Sequence, residues 1–150
     1  DAGVRVVVAH CASLGSGQGD VAGAAELTNF ALFAQLMDEQ RYEGRLFGDI
    51  SAITQFNRME VIASLLARRD WHTRLLNGSD YPLPGVVPLV FLQGLVDAQL
   101  LDATAVKPLS RLRDSNVLLF DFVLKRSLRK DGQGFATSVF ETAPFFSQPA

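Results

Sequence analysis

The chain has 150 residues, 48% apolar and 20% charged, a balance that excludes a disordered polypeptide and suffices for one domain with its own core. A formal net charge of −2 gives no reason to expect nucleic acid or an anionic membrane as a partner, and no apolar stretch reaches the roughly 18 residues that a membrane helix needs. The N-terminus lacks a basic region followed by a long apolar core, and the single cysteine, Cys11, excludes an internal disulfide framework, so the expected compartment is the reducing cytoplasm.

Residues 4–9, Val-Arg-Val-Val-Val-Ala, are almost continuously apolar and β-branched, as in a strand buried on both faces of a parallel sheet. Residues 11–23 are rich in glycine, serine and alanine and read as a long loop. Over 26–38, Leu27, Phe30, Ala31, Ala34 and Met37 fall at helical spacing and predict one apolar stripe. The pattern then repeats. Residues 45–52 predict a second strand. A second helix follows at about 58–69, with Ile62, Leu65 and Leu66 inward and Arg68 and Arg69 in its last turn, where cations favour the helix dipole. Residues 74–79 predict a third strand. This β, α, β, α, β order, with crossovers long enough to need a helix, is that of parallel α/β units.

After Asp80 the strands stop. Pro82, Pro84, Gly85 and Pro88 make a stiff loop, and helices are predicted at roughly 89–100, 105–115 and 116–130, with Pro108 breaking or beginning one of them. Residues 131–150 read as a tail that packs by Phe135, Phe140, Phe145 and Phe146. A strand so close to Asp1 reads as a piece of a longer chain, with ordinary N-terminal processing as the alternative.

Chemistry in α/β folds sits at the carboxyl ends of strands, and two polar residues stand there. Asp80 closes Leu75-Leu76-Asn77-Gly78-Ser79 and opens a proline-stiffened loop; a carboxylate so placed binds a cation or accepts a proton from metal-bound water, while a turn cap is the plainer alternative. His10 ends the first strand and can ligate metal, shuttle a proton or polarise a carbonyl; a hydrogen-bonded structural histidine is its alternative. Asp49 and Ser51 share a facing on the second strand, where Asp49 supports a metal site from behind its ligands or is simply satisfied by its neighbours. Cys11 reads as a small core hydrophobe, His72 as a surface or turn residue on the opposite rim, and Trp71 as packing. Lys125, Arg126, Arg129 and Lys130 read as a solvated helix end, with a phosphate site as the alternative. Ser79 lacks the nucleophile-elbow pattern, and no dinucleotide or Walker fingerprint is present; Gly15-Ser16-Gly17-Gln18-Gly19 reads as a flexible loop.

Taken together, Val-Val-Val-Ala-His10-Cys, Leu-Phe-Gly-Asp49-Ile-Ser51 and Leu-Leu-Asn-Gly-Ser-Asp80-Tyr-Pro resemble the carboxyl-terminal half of metal-dependent amidohydrolase-superfamily barrels, in the branch that includes the aminocarboxymuconate-semialdehyde decarboxylases. Asn116 before Leu118-Leu119-Phe120 resembles the family's terminal Asn-x-x-x-Leu-Phe helix, and the likeness covers roughly residues 4–125. It implies an α/β fold: a partial TIM (β/α)8 barrel of about three parallel strands, equivalent to strands 6–8, with residues 1–130 as the barrel part and 131–150 as the tail. It implies metal-activated water attacking a carbonyl-type carbon of a small-molecule substrate, or a decarboxylase variant. Asp80 would be the eighth-strand ligand and proton acceptor, and His10 the sixth-strand ligand or catalytic group, around a divalent metal, zinc first. The family's first-strand His-x-His pair and its fourth- or fifth-strand histidine or lysine have no counterpart here. The expectation is therefore an incomplete site whose N-terminal half-barrel is supplied from elsewhere, with open sheet edges prone to association with further copies. A non-catalytic α/β module, or an inactive half-barrel acting in binding or assembly, is the rival expectation.

Overall fold

In the computed structural model, which describes residues 4–18 and 26–147, the elements run in this order: β1 (Val6–Val8), β2 (Ser16–Gln18), β3 (Glu26–Thr28), α1 (Asn29–Asp38), β4 (Leu46–Asp49), α2 (Ile62–Ala67), β5 (Leu75–Leu76), α3 (Leu92–Asp97), α4 (Val106–Ser115), α5 (Val117–Ser127) and α6 (Ala143–Ser147). Strands β1, β4 and β5 form one parallel sheet in that spatial order, with Val6 opposite Leu46 and Gly48 opposite Leu75. The protein is thus mixed α/β, and its three parallel strands are those expected from the sequence.

Strand alternation divides the sheet into two faces. Leu46, Gly48 and Leu75 look towards α1. A side chain at Gly48 would not fit there: an added Cβ would lie 2.7 Å from Phe33 Cζ and 2.8 Å from Cys11 Sγ. Thr28 caps α1 by accepting from the Ala31 N–H at 3.1 Å, and the helix buries Phe33 and Met37. The Trp71 ring meets Phe33 edge-on with centroids 6.0 Å apart, and its indole N–H donates to Asp38 at 3.1 Å. Ile62, Leu65 and Leu66 of α2 are all fully buried, each contributing roughly 1.5–3 kcal/mol.

Four expectations are corrected. β1 is not buried on both faces: Val6 is 51% and Val7 39% exposed, because among the described residues β1 pairs on one side only. The loop over 11–23 holds a strand, since β2 pairs antiparallel with β3; its residues 19–23 lie outside the described residues. The sheet does not have two open edges. The tail lies along β5, where the Asn77 N–H donates to the Val139 carbonyl at 2.8 Å and Val139 is fully buried. Further on, Phe145 of α6 stacks edge-on against Phe47 at 4.7 Å and lies under the Arg5 guanidinium, so the tail does pack by its aromatics, although Phe146 is 74% exposed.

His72 is the fourth correction. It is buried, with Nε2 against the Leu65 carbonyl at 3.0 Å and Nδ1 accepting from the Ala136 N–H at 3.1 Å. That pairing fixes a neutral ring with the proton on Nε2. Burial, with Arg69 adding to it, holds the His72 pKa below its usual 6.5 despite the opposing bond to Leu65. As pH falls, the unfolded chain therefore takes up this proton first. Stability from His72 is expected to be complete above pH ~6.5 and to fall as pH drops from there through its depressed native value. Urea midpoints measured between pH 7.5 and 5 check this, alongside a ring titration by NMR whose midpoint should lie below that of a free histidine.

Candidate functional site

All three parallel strands end at one rim, and each leaves the sheet through a residue with positive φ. After β1 come His10 (φ 56°), Cys11 (49°) and Ala12 (50°); after β4, Ala52 (56°); after β5, Asp80 (55°). Five of the seven non-glycine residues of this kind among the described residues therefore stand at these strand ends. Such backbone costs of order 1–3 kcal/mol per residue and collects where a fold positions chemistry.

The rim carries the residues singled out in the sequence. His10 Nδ1 lies 2.7 Å from Ser51 Oγ, and the Ser51 N–H donates to the Asp49 carboxylate. Asp49 and Ser51 are thus linked by a local bond at the end of β4, Ser51 itself lying in the turn beyond the strand, and the Ser51 hydroxyl meets the imidazole. Depending on which of the pair carries the proton, Nε2 is left as a lone pair or as an N–H. Asp80 follows β5, two strands from β1, so roughly 10 Å of sheet separates the two strand ends, with Ser51 and Asp49 between them. The turn to Asp80 packs tightly on β4: a Cβ at Gly78 would lie 3.1 Å from Asp49 Oδ1 and 3.3 Å from Ser51 Cβ.

Cys11 points the other way and is fully buried, its thiol donating to the Asp49 carbonyl at 3.3 Å. Burial, and secondarily the Asp49 charge, pushes its pKa far up, so it is the core hydrophobe anticipated and not a nucleophile.

The basic cluster is corrected at its first member. Lys125 is fully buried, not solvated. Its Nζ donates to Asp121 Oδ2 at 2.7 Å and to the Gly78 carbonyl at 2.6 Å. Asp121 is equally buried, and its Oδ1 has no hydrogen-bond partner. Burial pulls Lys125 down and pushes Asp121 up, against their mutual attraction; the Asp49 and Asp80 charges act on both. Asp121 escaped the sequence reading. A signal was present: Asp121 and Lys125 are four apart and flank the buried Phe120, Leu124 and Leu128, and so share a helix stripe.

Among the described residues no three or more His, Cys, Asp or Glu side chains converge in a way that could hold a metal ion. His10 and Asp80 alone fall short of the about three protein ligands of a catalytic zinc. Nor is any described helix long and apolar enough to cross a membrane. The fold and rim define a mixed α/β protein whose parallel strand ends gather an imidazole, a hydroxyl and carboxylates over a buried ion pair. Compared with known proteins, the chain matches no family model, no curated protein and no solved structure.

Proposed function

We propose that this chain is the carboxyl-terminal part of an amidohydrolase-type (β/α)8 barrel, its parallel strands standing where strands 6–8 stand, and that it serves hydrolysis at a carbonyl-type carbon of a small-molecule substrate. The observation that carries this reading is the shared rim: neighbouring parallel strands end in His10, in Asp49 with Ser51, and in Asp80, each leaving through positive-φ backbone. The resemblance would add a divalent metal, zinc first, but the donors of this chain do not complete a site for one, and the remaining ligands would come from polypeptide outside it. What these residues can do themselves is narrower. The Asp80 carboxylate can accept a proton from a water at the rim. His10, steadied by Ser51, can polarise or protonate a substrate oxygen through Nε2. Asp49 fixes Ser51 through its backbone.

With two donors only, zinc affinity of the chain alone is expected to be weak, with a Kd on the order of 0.1–1 mM. A zinc titration followed by amide NMR tests the site: shifts confined to the residues around His10 and Asp80 support it. Shifts elsewhere, or none at millimolar zinc, remove the metal, and tight stoichiometric uptake by calorimetry overturns the incomplete site.

The second reading, a non-catalytic module acting in assembly, is favoured by the other end of the sheet. Val4, Val6 and Val7 are exposed on or beside β1, and Val4 and Val6 line a groove of about 510 Å³ with Leu36, Tyr42 and Leu46. Concentration-dependent association by analytical ultracentrifugation, abolished by Val6→Lys, would favour assembly through this edge.

A further inference from the structure

We infer that the buried Asp121–Lys125 pair of α5 is a positioning device for the strand-end turn, holding Asp80 at the rim through the Gly78 carbonyl; this rests on the reading of Asp80 as a working carboxylate. The turn Gly78-Ser79-Asp80 is gripped from two sides. From the β4 side, Asp49 and Ser51 crowd Gly78, where an added Cβ would lie 3.1 and 3.3 Å from them. From α5, Lys125 Nζ donates to the Gly78 carbonyl at 2.6 Å and to Asp121 Oδ2 at 2.7 Å. Two residues beyond the gripped carbonyl, Asp80 takes a left-handed backbone (φ 55°), a conformation that persists only where surrounding contacts over-determine it.

A pair placed for stability alone has a simpler substitute. Replacing a buried ion pair by apolar groups of similar shape is often neutral or stabilising, and here Asp121 Oδ1 is left buried without a partner. Lys125 also feels the charges of Asp121, Asp49 and Asp80, with Asp121 in direct contact. A side chain with one bond to the turn and one to its own helix fixes where the turn sits as well as whether the helix packs.

The test is the double variant Asp121→Leu with Lys125→Met, which removes both polar groups together and so avoids stranding either charge. The expected result is a urea midpoint close to that of the unchanged protein, with hydrogen exchange at least ten-fold faster at the Tyr81 and Leu83 amides, which donate to Ser79 Oγ and to the Asp80 carbonyl, and exchange in α2 unchanged. Lys125→Met alone should show the same local loosening on a destabilised protein. A double variant with unaltered exchange at the turn overturns the inference, as does a lowered midpoint with exchange raised uniformly, which is the mark of a purely structural pair. Asp80→Asn, run beside it in the zinc titration, separates the two ideas. If zinc shifts around His10 survive Asp80→Asn, the role of Asp80 fails while the exchange result still decides the positioning. If they vanish in Asp80→Asn yet persist undiminished in the double variant at matched stability, the positioning fails and Asp80 stands.

Discussion

Lys125→Met is expected to cost about 3–5 kcal/mol of stability, the range for removing one partner of a buried pair. Methionine keeps the length and apolar stem of lysine and fills the same volume, so the loss is not a cavity effect. What remains is the Asp121 carboxyl, buried with both oxygens unpartnered instead of one, and a Gly78 carbonyl without its donor. Asp121 can escape only by taking up a proton, which its raised pKa already favours, so the cost should be smaller at pH 5 than at pH 8. With a urea slope of ~2 kcal/mol per molar, the midpoint should fall by roughly 2 M. A shift below about 0.5 M at pH 8 would mean that the pair contributes little and that Asp121 finds another partner.

The parts of this fold legible in the sequence were those written as local runs. Val-Val-Val before His10, Leu-Phe-Gly before Asp49 and Leu-Leu before the Asp80 turn predict strands because β-branched and apolar residues fit a pleated, covered surface, and all three became parallel neighbours. Asn116 shows the same locality: its side chain accepts from the Leu119 N–H at 2.9 Å and starts α5. What failed depends on tertiary placement. Ser16-Gly17-Gln18 has no strand propensity and becomes β2 only by pairing with β3. His72 is buried because the Ala136 amide that binds it lies 64 residues away. Lys125 read as part of a charge run with Arg126, Arg129 and Lys130, but burial on a helix is set by rotation about its axis, and one position separates the buried Lys125 from the exposed Arg126. The rim shows the same division. Its residue types were visible, whereas the His10–Ser51 bond and the ion pair below the Asp80 turn arise from strand and helix packing.

Under the proposed hydrolase reading, Asp80→Asn is expected to lower turnover of the complete protein by a factor on the order of 10²–10⁴ while leaving the fold intact, the span of a lost general base. The substitution suits the question because of the backbone at this position. At φ 55° most side chains add strain, but asparagine visits this region at least as readily as aspartate, so the turn should keep its shape and stability should change by no more than about 0.5 kcal/mol. The amide matches the carboxylate in size and can still accept a hydrogen bond, but it carries no charge and cannot take a proton from water at neutral pH. An effect on rate without an effect on the urea midpoint therefore isolates the proton-accepting role from the turn-capping alternative. If Asp80 is only a cap, asparagine serves equally well, since both residues favour such turns, and rate and midpoint will both stay within a factor of two of the unchanged protein. Initial rates on a panel of esters, amides and lactones, read beside urea curves for the same samples, decide between the two outcomes.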